Sequence, residues 1–136
     1  MKVGIKVSEV MTKNPVIVSP DTLLPVCARK MLSNNVGALI VKDKDKPIGI
    51  ITEKDIVEEA VGKELNIKKT KVRDIMSNLL ITITPDADLS EAIKTMKRED
   101  VRRLPVVYNN KLVGLLTQKD ILRIDPDLVK NILPCD

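Results

Sequence analysis

The chain has 136 residues, enough for a domain with a hydrophobic core, and 43% of them are apolar, with one tyrosine and no phenylalanine, tryptophan or histidine. The absence of histidine removes the commonest general base and metal ligand, and the shortage of aromatic residues argues against nucleic-acid recognition by base stacking. The formal net charge is +4, with both signs mixed along the chain, which is typical of a soluble protein with local anion sites.

Neither the cysteines nor the first residues indicate a secreted or metal-binding protein. Cys27 and Cys135 lie far apart and match neither a zinc-ligand spacing nor a disulfide framework. Residues 1–4 do not begin a signal peptide, and no apolar run approaches membrane-spanning length. We therefore expect a cytoplasmic protein that binds no metal, with Cys27 in the core and Cys135 exposed in the tail.

The first half of the chain alternates short strands and helices. Hydrophobic periodicity, helix caps and turn residues predict these elements. In chain order they are a helical turn at residues 8–11, a strand at 16–18, a helix from 24 that ends at 34–35, hairpin strands at 38–41 and 48–51 around a charged turn at 42–47, a helix over 52–61 with Ile56, Val57 and Ala60 on its apolar face, and a polar linker at 62–71.

The second half replays this order. The same signals predict a strand, a capped helix, a hairpin and a further helix. In chain order they are a strand at 81–83, a capping box at 88–91 that opens a helix with Leu89, Ala92, Ile93 and Met96 inward, hairpin strands at 104–108 and 112–116 around Asn109 and Asn110, a helix over 117–124, and a short helix over 127–133 that begins after Asp125 and Pro126.

The two halves form an internal repeat. Gly49 and Gly114 begin the best-matched stretches, GIITEKD and GLLTQKD, and the same offset of 65 residues holds without gaps from position 7 to position 56 of the first copy. Two copies give a pseudo-symmetric pair, too few for a solenoid. We place the boundary in the polar linker, which gives repeats at residues 1–65 and 66–136.

A Thr-x-x-Asp motif ends each repeated stretch. An apolar pair that enters Thr52 or Thr117 is typical of a strand that runs into a helix, because threonine is a favoured N-cap. The free N–H groups of a helix start attract anions, and an aspartate in the first turn suits ribose hydroxyls. The alternative is a capping box, in which Thr52 and Asp55, or Thr117 and Asp120, cap each other. Because the motif is duplicated in matched surroundings, we favour a nucleotide-binding role.

The order of these motifs resembles the CBS domain, named after cystathionine β-synthase, and a tandem of two resembles a Bateman module. The residues that carry the resemblance are VMT at 10–12, IMS at 75–77, RLPVV at 103–107, and the Gly-to-Asp stretches at 49–55 and 114–120. The resemblance covers residues 7–124. It implies an α/β (α+β) fold of two tandem pseudo-symmetric β-α-β-β-α repeats packed through their sheets, in a stand-alone CBS-domain protein.

The resemblance also implies a function and a set of ligand contacts. CBS pairs bind adenosine-containing ligands in the cleft between the repeats and regulate a partner, so the expected ligands are AMP, ADP, ATP or another adenosine derivative. Two sites are implied. One takes Thr117 and Asp120 with Thr12 and Val16, and the other takes Thr52 and Asp55 with Ser77 and Ile81. Backbone groups beside Val16 and Ile81 are expected to read the adenine edge.

The two repeats differ where relatives that bind phosphates often place basic residues. The second repeat has Arg102 and Arg103 there, and the first has Gly37 and Ala38. Guanidinium suits phosphate because it donates two parallel hydrogen bonds. We therefore expect the two sites to differ in ligand preference. The alternative for Arg102 and Arg103 is a solvated strand edge.

Three classes of function compete. An adenosine-nucleotide-binding regulatory module, with a role such as energy sensing, explains the duplicated motif. An enzyme is disfavoured, because no Ser-His, Cys-His, HExxH or Walker pattern occurs and the aspartates lack an acid–base partner. A nucleic-acid-binding accessory protein is the alternative that the basic charge permits. The resemblance further implies a homodimer through the helical faces, where Ile56, Val57, Ile121 and Leu122 add apolar surface.

Overall fold

The structure, a computed structural model, describes residues 4–78 and 81–129, and the predicted elements are largely present there. In chain order they are α1 (Val7–Val10), β1 (Thr12–Lys13), β2 (Ile17–Val18), α2 (Leu24–Asn34), β3 (Ala38–Asp43), β4 (Lys46–Thr52), α3 (Glu53–Asp55), a π-helical turn (Ile56–Val61), α4 (Val72–Ile75), α5 (Leu89–Glu99), β5 (Arg103–Tyr108), β6 (Lys111–Thr117), α6 (Gln118–Ile124) and α7 (Pro126–Val129). Of the predicted terminal helix and exposed Cys135, residues 130–136 lie outside the described residues. None of the described helices is long and apolar enough to cross a membrane.

The packing divides the chain into two units. The terminal unit comprises Met1–Asn14 and Ile81–Asp136, and the central unit comprises Pro15–Leu80. The predicted boundary at residue 65 describes the sequence repeats, whereas the structural units separate near residues 14 and 80. The helical turn α1 therefore belongs to the first repeat in sequence but to the terminal unit in the structure. Likewise α4 belongs to the second repeat but to the central unit.

Each unit contains one three-stranded sheet. In the central unit the strand order is β2-β3-β4, with β2 parallel to β3 and β3 antiparallel to β4. In the terminal unit the order is β1-β6-β5, and both pairings are antiparallel. This mixed architecture confirms the predicted fold class.

Each unit also has its own aliphatic core, as the composition predicts. The buried residues of the central unit are Val18, Leu24, Cys27, Met31, Leu39, Val41, Ile51, Ala60, Val72 and Ile75. Those of the terminal unit are Val7, Ile83, Leu89, Ala92, Met96, Leu104, Val106, Leu116 and Ile121. A fully buried aliphatic side chain contributes about 1.5–3 kcal/mol, so these sets dominate the stability of each unit.

The observed helix ends agree with the predicted ends more closely than the observed strand ends do. Asn35 and Asp100 follow the two longest helices in the left-handed conformation, each with φ of 53°, which ends a helix at low cost for a residue with a short polar side chain. The hairpin strands are longer than predicted. Their turns shrink to Lys44 and Asp45 in the central unit, and to residues 109–110 in the terminal unit.

The predicted strand at 81–83 is wrong in extent, because only Ile83 forms a bridge, parallel to Val106. In the central unit the N–H of Ile40 donates to the carbonyl of Val16, at 3.1 Å, and extends the pairing. Pro105 occupies the position equivalent to Ile40 and has no N–H to donate. The ladder is therefore one hydrogen bond shorter in the terminal unit.

The helix after each motif buries only one of two adjacent apolar residues. Ile121 is buried and Leu122 exposed, and likewise Ile56 is half-buried while Val57 is 62% exposed. The predicted apolar face of Ile56, Val57 and Ala60 is therefore not buried as a whole. Val57 lies on its exposed side, because neighbouring side chains point about 100° apart around a helix. The π-helical turn that contains Val57 is closed by the N–H of Gly62, which donates to the Val57 carbonyl at 2.7 Å.

Candidate functional site

Both Thr-x-x-Asp motifs lie where a hairpin strand runs into a helix. Thr52 and Thr117 are N-cap residues in extended conformation, with φ of −121° and −119°. Each threonine hydroxyl accepts the N–H of the aspartate three residues later, at 3.1 Å from Asp55 and 3.2 Å from Asp120. In return each aspartate Oδ2 accepts the N–H of its threonine, at 2.9 Å and 3.0 Å. The capping box is thus formed in both copies, and it fixes each carboxylate at the helix start.

In the terminal unit the second carboxylate oxygen is also engaged. Asp120 is only 4% exposed, and its Oδ1 accepts the hydroxyl of Thr12 at 3.1 Å. The same oxygen accepts Nη1 of Arg123 at 3.3 Å. The structure therefore brings together Thr12, Thr117 and Asp120, three residues that the sequence assigned to one site.

In the central unit the corresponding oxygen is open. Asp55 is half-buried, and the described residues offer its Oδ1 no hydrogen-bond partner. Ser77, at the position equivalent to Thr12, is exposed and forms two backbone hydrogen bonds with Ile50, of 2.9 Å and 3.1 Å. Thr52, Asp55 and Ser77 thus belong to the same edge of this unit, although among the described residues Ser77 makes no bond to the carboxylate.

The glycine that opens each motif is required by a close backbone approach. A Cβ on Gly49 would lie 2.5 Å from the carbonyl oxygen of Ser77. A Cβ on Gly114 would lie 2.5 Å from Sδ of Met11 and 3.1 Å from the carbonyl oxygen of Thr12. Both distances of 2.5 Å are too short for a real side chain. The glycines therefore allow the segments that carry Ser77 and Thr12 to cross the hairpin.

The predicted arginines flank the terminal motif. Arg103 is half-buried and pairs in register with Thr117 across β5 and β6. Arg102 is exposed, and its carbonyl accepts the N–H of Gln118 at 3.1 Å. In the central unit Ala38 pairs with Thr52 in the same register. The basic pair thus lies beside one motif and is replaced by small residues beside the other.

Val16 and Ile81 lie in units other than those of the motif residues assigned with them. Val16 belongs to the central unit and Ile81 to the terminal unit, and both are half-buried against the core of their own unit. The Val16 carbonyl is engaged by Ile40, whereas Pro105 cannot donate to the Ile81 carbonyl. Their role toward adenine stays a prediction.

Two charged residues were missed by the sequence prediction. Arg123 lies three residues after Asp120, a spacing at which helical side chains meet, so this ion pair was detectable. Glu53 lies beside Gly37, where an added Cβ would be 3.3 Å from the glutamate Oε1. The sequence carried no signal for that contact, because it depends on how β3 packs beside the helix start.

The comparison with known families settles the resemblance. The CBS domain model matches residues 7–62 and 72–127. The chain belongs to the CBS-domain family. It contains two CBS domains in tandem, a pair of the kind that forms ligand-binding regulatory modules.

Several relatives share both the sequence pattern and the fold. An uncharacterized protein of Methanopyrus kandleri is 41% identical over 131 residues, which cover 95% of this chain. A crystal structure of an uncharacterized conserved protein from Pyrococcus horikoshii is 26% identical, with a TM-score of 0.82 and full coverage of both chains. The chain spans 67% of the length of the Methanopyrus protein, and 66% and 34% of two proteins of Methanocaldococcus jannaschii.

One similar structure contains ligands. It is a CBS domain pair in complex with 5′-methylthioadenosine and S-adenosylmethionine, with a TM-score of 0.80, 24% identity, and coverage of 90% of this chain and 97% of that one. At this identity the likeness shows the shared fold.

Proposed function

We propose that this CBS pair is a regulatory module that binds adenosine nucleotides and acts on a partner protein without catalysing a reaction. The observation that supports this most directly is the duplicated capping box. It holds the carboxylates of Asp55 and Asp120 in a fixed orientation beside the end of a sheet. A carboxylate held in this way is a suitable acceptor for ribose hydroxyls. At Asp120 the ligand hydroxyls would replace the hydrogen bonds from Thr12 and Arg123.

The phosphate side of the ligand has its own supporting residues. Arg103 lies across the strand pair from Thr117, and Arg102 immediately precedes the strand β5, which begins at Arg103. Guanidinium groups bind phosphate with two parallel hydrogen bonds, and the helix start adds free N–H groups. The proposed ligand-contacting residues in the terminal unit are Thr12, Ile81, Arg102, Arg103, Thr117 and Asp120. Those in the central unit are Val16, Thr52, Asp55 and Ser77.

The regulatory action follows from differential affinity. A ligand changes the conformational equilibrium of a protein only if it binds one conformation more tightly than another, and a partner that distinguishes the conformations reads the change. A protein of the same fold binds two adenosine derivatives, so the fold accommodates such ligands. The identity of the ligand for this chain depends on its own residues.

The experiment that tests this proposal is a thermal-shift and calorimetric titration with AMP, ADP, ATP, NADH and S-adenosylmethionine. A ligand at 100 times its Kd stabilises the folded state by about 2.7 kcal/mol, which raises the Tm by several degrees. GMP is the matched control, since it keeps the ribose and phosphate and changes the base. An unchanged Tm with millimolar amounts of every adenosine compound would overturn the proposal.

The proposed assembly is a homodimer. The helix after the central motif exposes Val57 and Val61 by 62% and 59%, and α6 exposes Leu122 and Ile124 by 44% and 43%. A two-fold interface is the commonest way for a protein to bury such a surface. Light scattering at micromolar concentration should give twice the mass of one chain, and the Val57→Glu variant should reduce it. A single-chain mass with and without AMP would contradict this assembly.

A further inference from the structure

We infer that the two adenosine sites select ligands of different charge. The terminal unit takes a phosphorylated adenosine ligand, and the central unit takes an adenosine ligand without phosphate, either neutral or positively charged. This inference rests on the proposed function, because it assigns ligand classes to the same two motifs. It is carried by the charged side chains around the motifs, which differ between the units although the backbone is the same.

The backbone equivalence can be checked bond by bond. The N–H of Glu53 donates to the carbonyl of Gly37 at 3.0 Å, and the N–H of Gln118 donates to the carbonyl of Arg102 at 3.1 Å. The residues that follow, at positions 38 and 103, pair in register with the two motif threonines. Glu53 is therefore the structural counterpart of Gln118, and Gly37 that of Arg102.

At the position of Arg102 the central unit has a carboxylate. A Cβ on Gly37 would lie 3.3 Å from Oε1 of Glu53 and 3.4 Å from its Cδ. In the central unit the Glu53 carboxylate thus lies within contact distance of the place where the Arg102 side chain begins in the terminal unit. A phosphate group that is attracted by guanidinium in the terminal unit would be repelled by this carboxylate in the central unit.

The residue three positions after each motif aspartate is basic in the terminal unit and acidic in the central unit. In the terminal unit Arg123 lies 3.3 Å from Oδ1 of Asp120 and partly neutralises it. The equivalent residue of the central unit is Glu58, whose carboxylate lies 3.9 Å from Nζ of Lys54, with both side chains largely exposed. An exposed pair of this kind screens little charge. Within the part of the chain that the structure describes, the carboxylate of Asp55 therefore has no ion-pair partner comparable to Arg123.

The charges at residues 37, 38 and 53–58 and at their counterparts 102, 103 and 118–123 agree with this contrast. In the central unit, three of the four ionisable residues in this set are acidic. They are Glu53, Asp55 and Glu58, with Lys54 as the basic one. In the terminal unit four of the five are basic. They are Arg102, Arg103, Lys119 and Arg123, with Asp120 as the acidic one. A ligand with a sulfonium or amino group would suit the first set, and a nucleoside phosphate would suit the second.

The test compares adenosine with AMP, which differ only by the phosphate, in variants that leave one site intact. Calorimetry on the Asp120→Ala variant reports the central site, and calorimetry on Asp55→Ala reports the terminal site. We expect adenosine to bind the central site at least about tenfold more tightly than AMP, and the order to reverse at the terminal site. Because Asp120 is buried, Asp120→Asn is the second variant if Asp120→Ala loses its folded circular dichroism spectrum.

Removal of one charge tests which residue disfavours phosphate at the central site. Glu53→Gln gives the central unit the residue that the terminal unit has, and it should raise the affinity of the central site for AMP by about threefold without changing that for adenosine. Glu59→Gln is the matched control, because Glu59 is paired with Lys63 at 2.5 Å and the atoms nearest to a Cβ on Gly37 all belong to Glu53. It should change neither affinity.

The possible outcomes separate the inference from the proposed function. If no adenosine compound binds the wild-type chain, both are overturned. If other adenosine compounds bind but neither adenosine nor AMP does, the proposed function stands and the charge selection is wrong. If both ligands bind but the two sites show the same preference, the proposed function stands and the charge selection is wrong. The charge selection is also wrong if Glu53→Gln and Glu59→Gln change the AMP affinity equally.

Discussion

The two copies of the Thr-x-x-Asp motif share their local geometry and differ in their surroundings. Both form a capping box with bond lengths that agree within 0.1 Å. Beyond the box, Asp120 is buried and bonded to Thr12 and Arg123, whereas Oδ1 of Asp55 has no hydrogen-bond partner among residues 4–78 and 81–129. A formed capping box therefore does not exclude the proposed ligand-binding role. The box is the local device that positions the carboxylate, and tertiary neighbours decide what the carboxylate can bind.

The largest expected difference between the units concerns the motif glycines. In Gly49→Ala the new Cβ meets a backbone carbonyl at 2.5 Å, and backbone cannot move cheaply. In Gly114→Ala the nearest atom is Sδ of Met11, the far end of a flexible side chain, with the Thr12 carbonyl at 3.1 Å. We expect Gly49→Ala to lower the free energy of unfolding by about 3 kcal/mol and Gly114→Ala by about 1 kcal/mol.

Urea denaturation of the two glycine variants measures this difference. The variant Met11→Ala combined with Gly114→Ala is the control, since removal of the thioether should remove most of the extra strain. Equal losses in the two single variants would contradict the assignment of a rigid contact at Gly49 and a flexible one at Gly114.

The second-largest expected difference is in the stability lost when each motif aspartate is replaced. Asp120→Ala removes a buried acceptor and leaves the Thr12 hydroxyl and the Thr117 N–H without their partner, which costs about 2 kcal/mol of stability. Asp55→Ala removes a half-buried first-turn acid and should cost about 1 kcal/mol or less. Each variant should also weaken adenosine binding at its own site roughly 10- to 150-fold.

Chemical denaturation and calorimetry separate the two effects of the aspartate variants. The conservative variants Asp120→Asn and Asp55→Asn keep one oxygen acceptor and should recover part of the stability. If Asp55→Ala proves as destabilising as Asp120→Ala, the open oxygen of Asp55 is not a feature of the folded protein in solution.

Local features of the fold could be predicted from the sequence, because they depend on residues close in the chain. The helix end at Asn35, both capping boxes and the aliphatic core of each unit are of this kind. The repeat offset added the pseudo-symmetry, since matched positions take matched structure. The family resemblance then supplied the order of the elements and the candidate residues.

The contacts that distinguish the two sites could not be predicted in this way. Thr12 and Asp120 are 108 residues apart in sequence, and nothing local indicates that their side chains meet. The carboxylate of Glu53 beside Gly37 depends on the packing of a strand against a helix start. The shorter ladder of the terminal unit could have been predicted, because a proline at the position equivalent to Ile40 removes one ladder hydrogen bond.

A smaller difference is expected at the equivalent core positions Cys27 and Ala92, both fully buried. Burial raises the pKa of the Cys27 thiol to about 11, from an ordinary value near 9. Above pH 9 the thiol of the unfolded chain loses its proton, whereas the buried thiol of the folded protein keeps its proton until about pH 11. The free energy of unfolding is therefore unaffected below pH 9 and falls as the pH rises toward 11. The wild type should therefore lose about 1 kcal/mol between pH 8 and pH 10 relative to Cys27→Ala, which lacks the thiol.

Denaturation curves of wild type and Cys27→Ala at matched pH values give this comparison directly. The other ionisable groups contribute equally to the pH dependence of the free energy of unfolding in both proteins, so their contributions cancel. Thiol labelling followed by peptide mass analysis is an independent check, in which Cys27 should react only after unfolding. Parallel pH dependences of the two proteins would show that Cys27 does not ionise differently in the folded and unfolded states.

The smallest expected effect concerns Arg123, whose side chain is 74% exposed although its partner Asp120 is buried. Because water screens the guanidinium, the pair should contribute only about 0.5–1 kcal/mol to stability. Arg123→Ala should nevertheless weaken AMP binding at the terminal site more than adenosine binding, since it removes one of four basic residues around that motif. Glu58→Ala at the equivalent position of the central unit should act in the opposite direction on AMP. Calorimetric titration of both variants with both ligands decides the matter: a loss for adenosine as large as that for AMP in Arg123→Ala would mean that Arg123 only orients the Asp120 carboxylate and does not set the charge preference of the site.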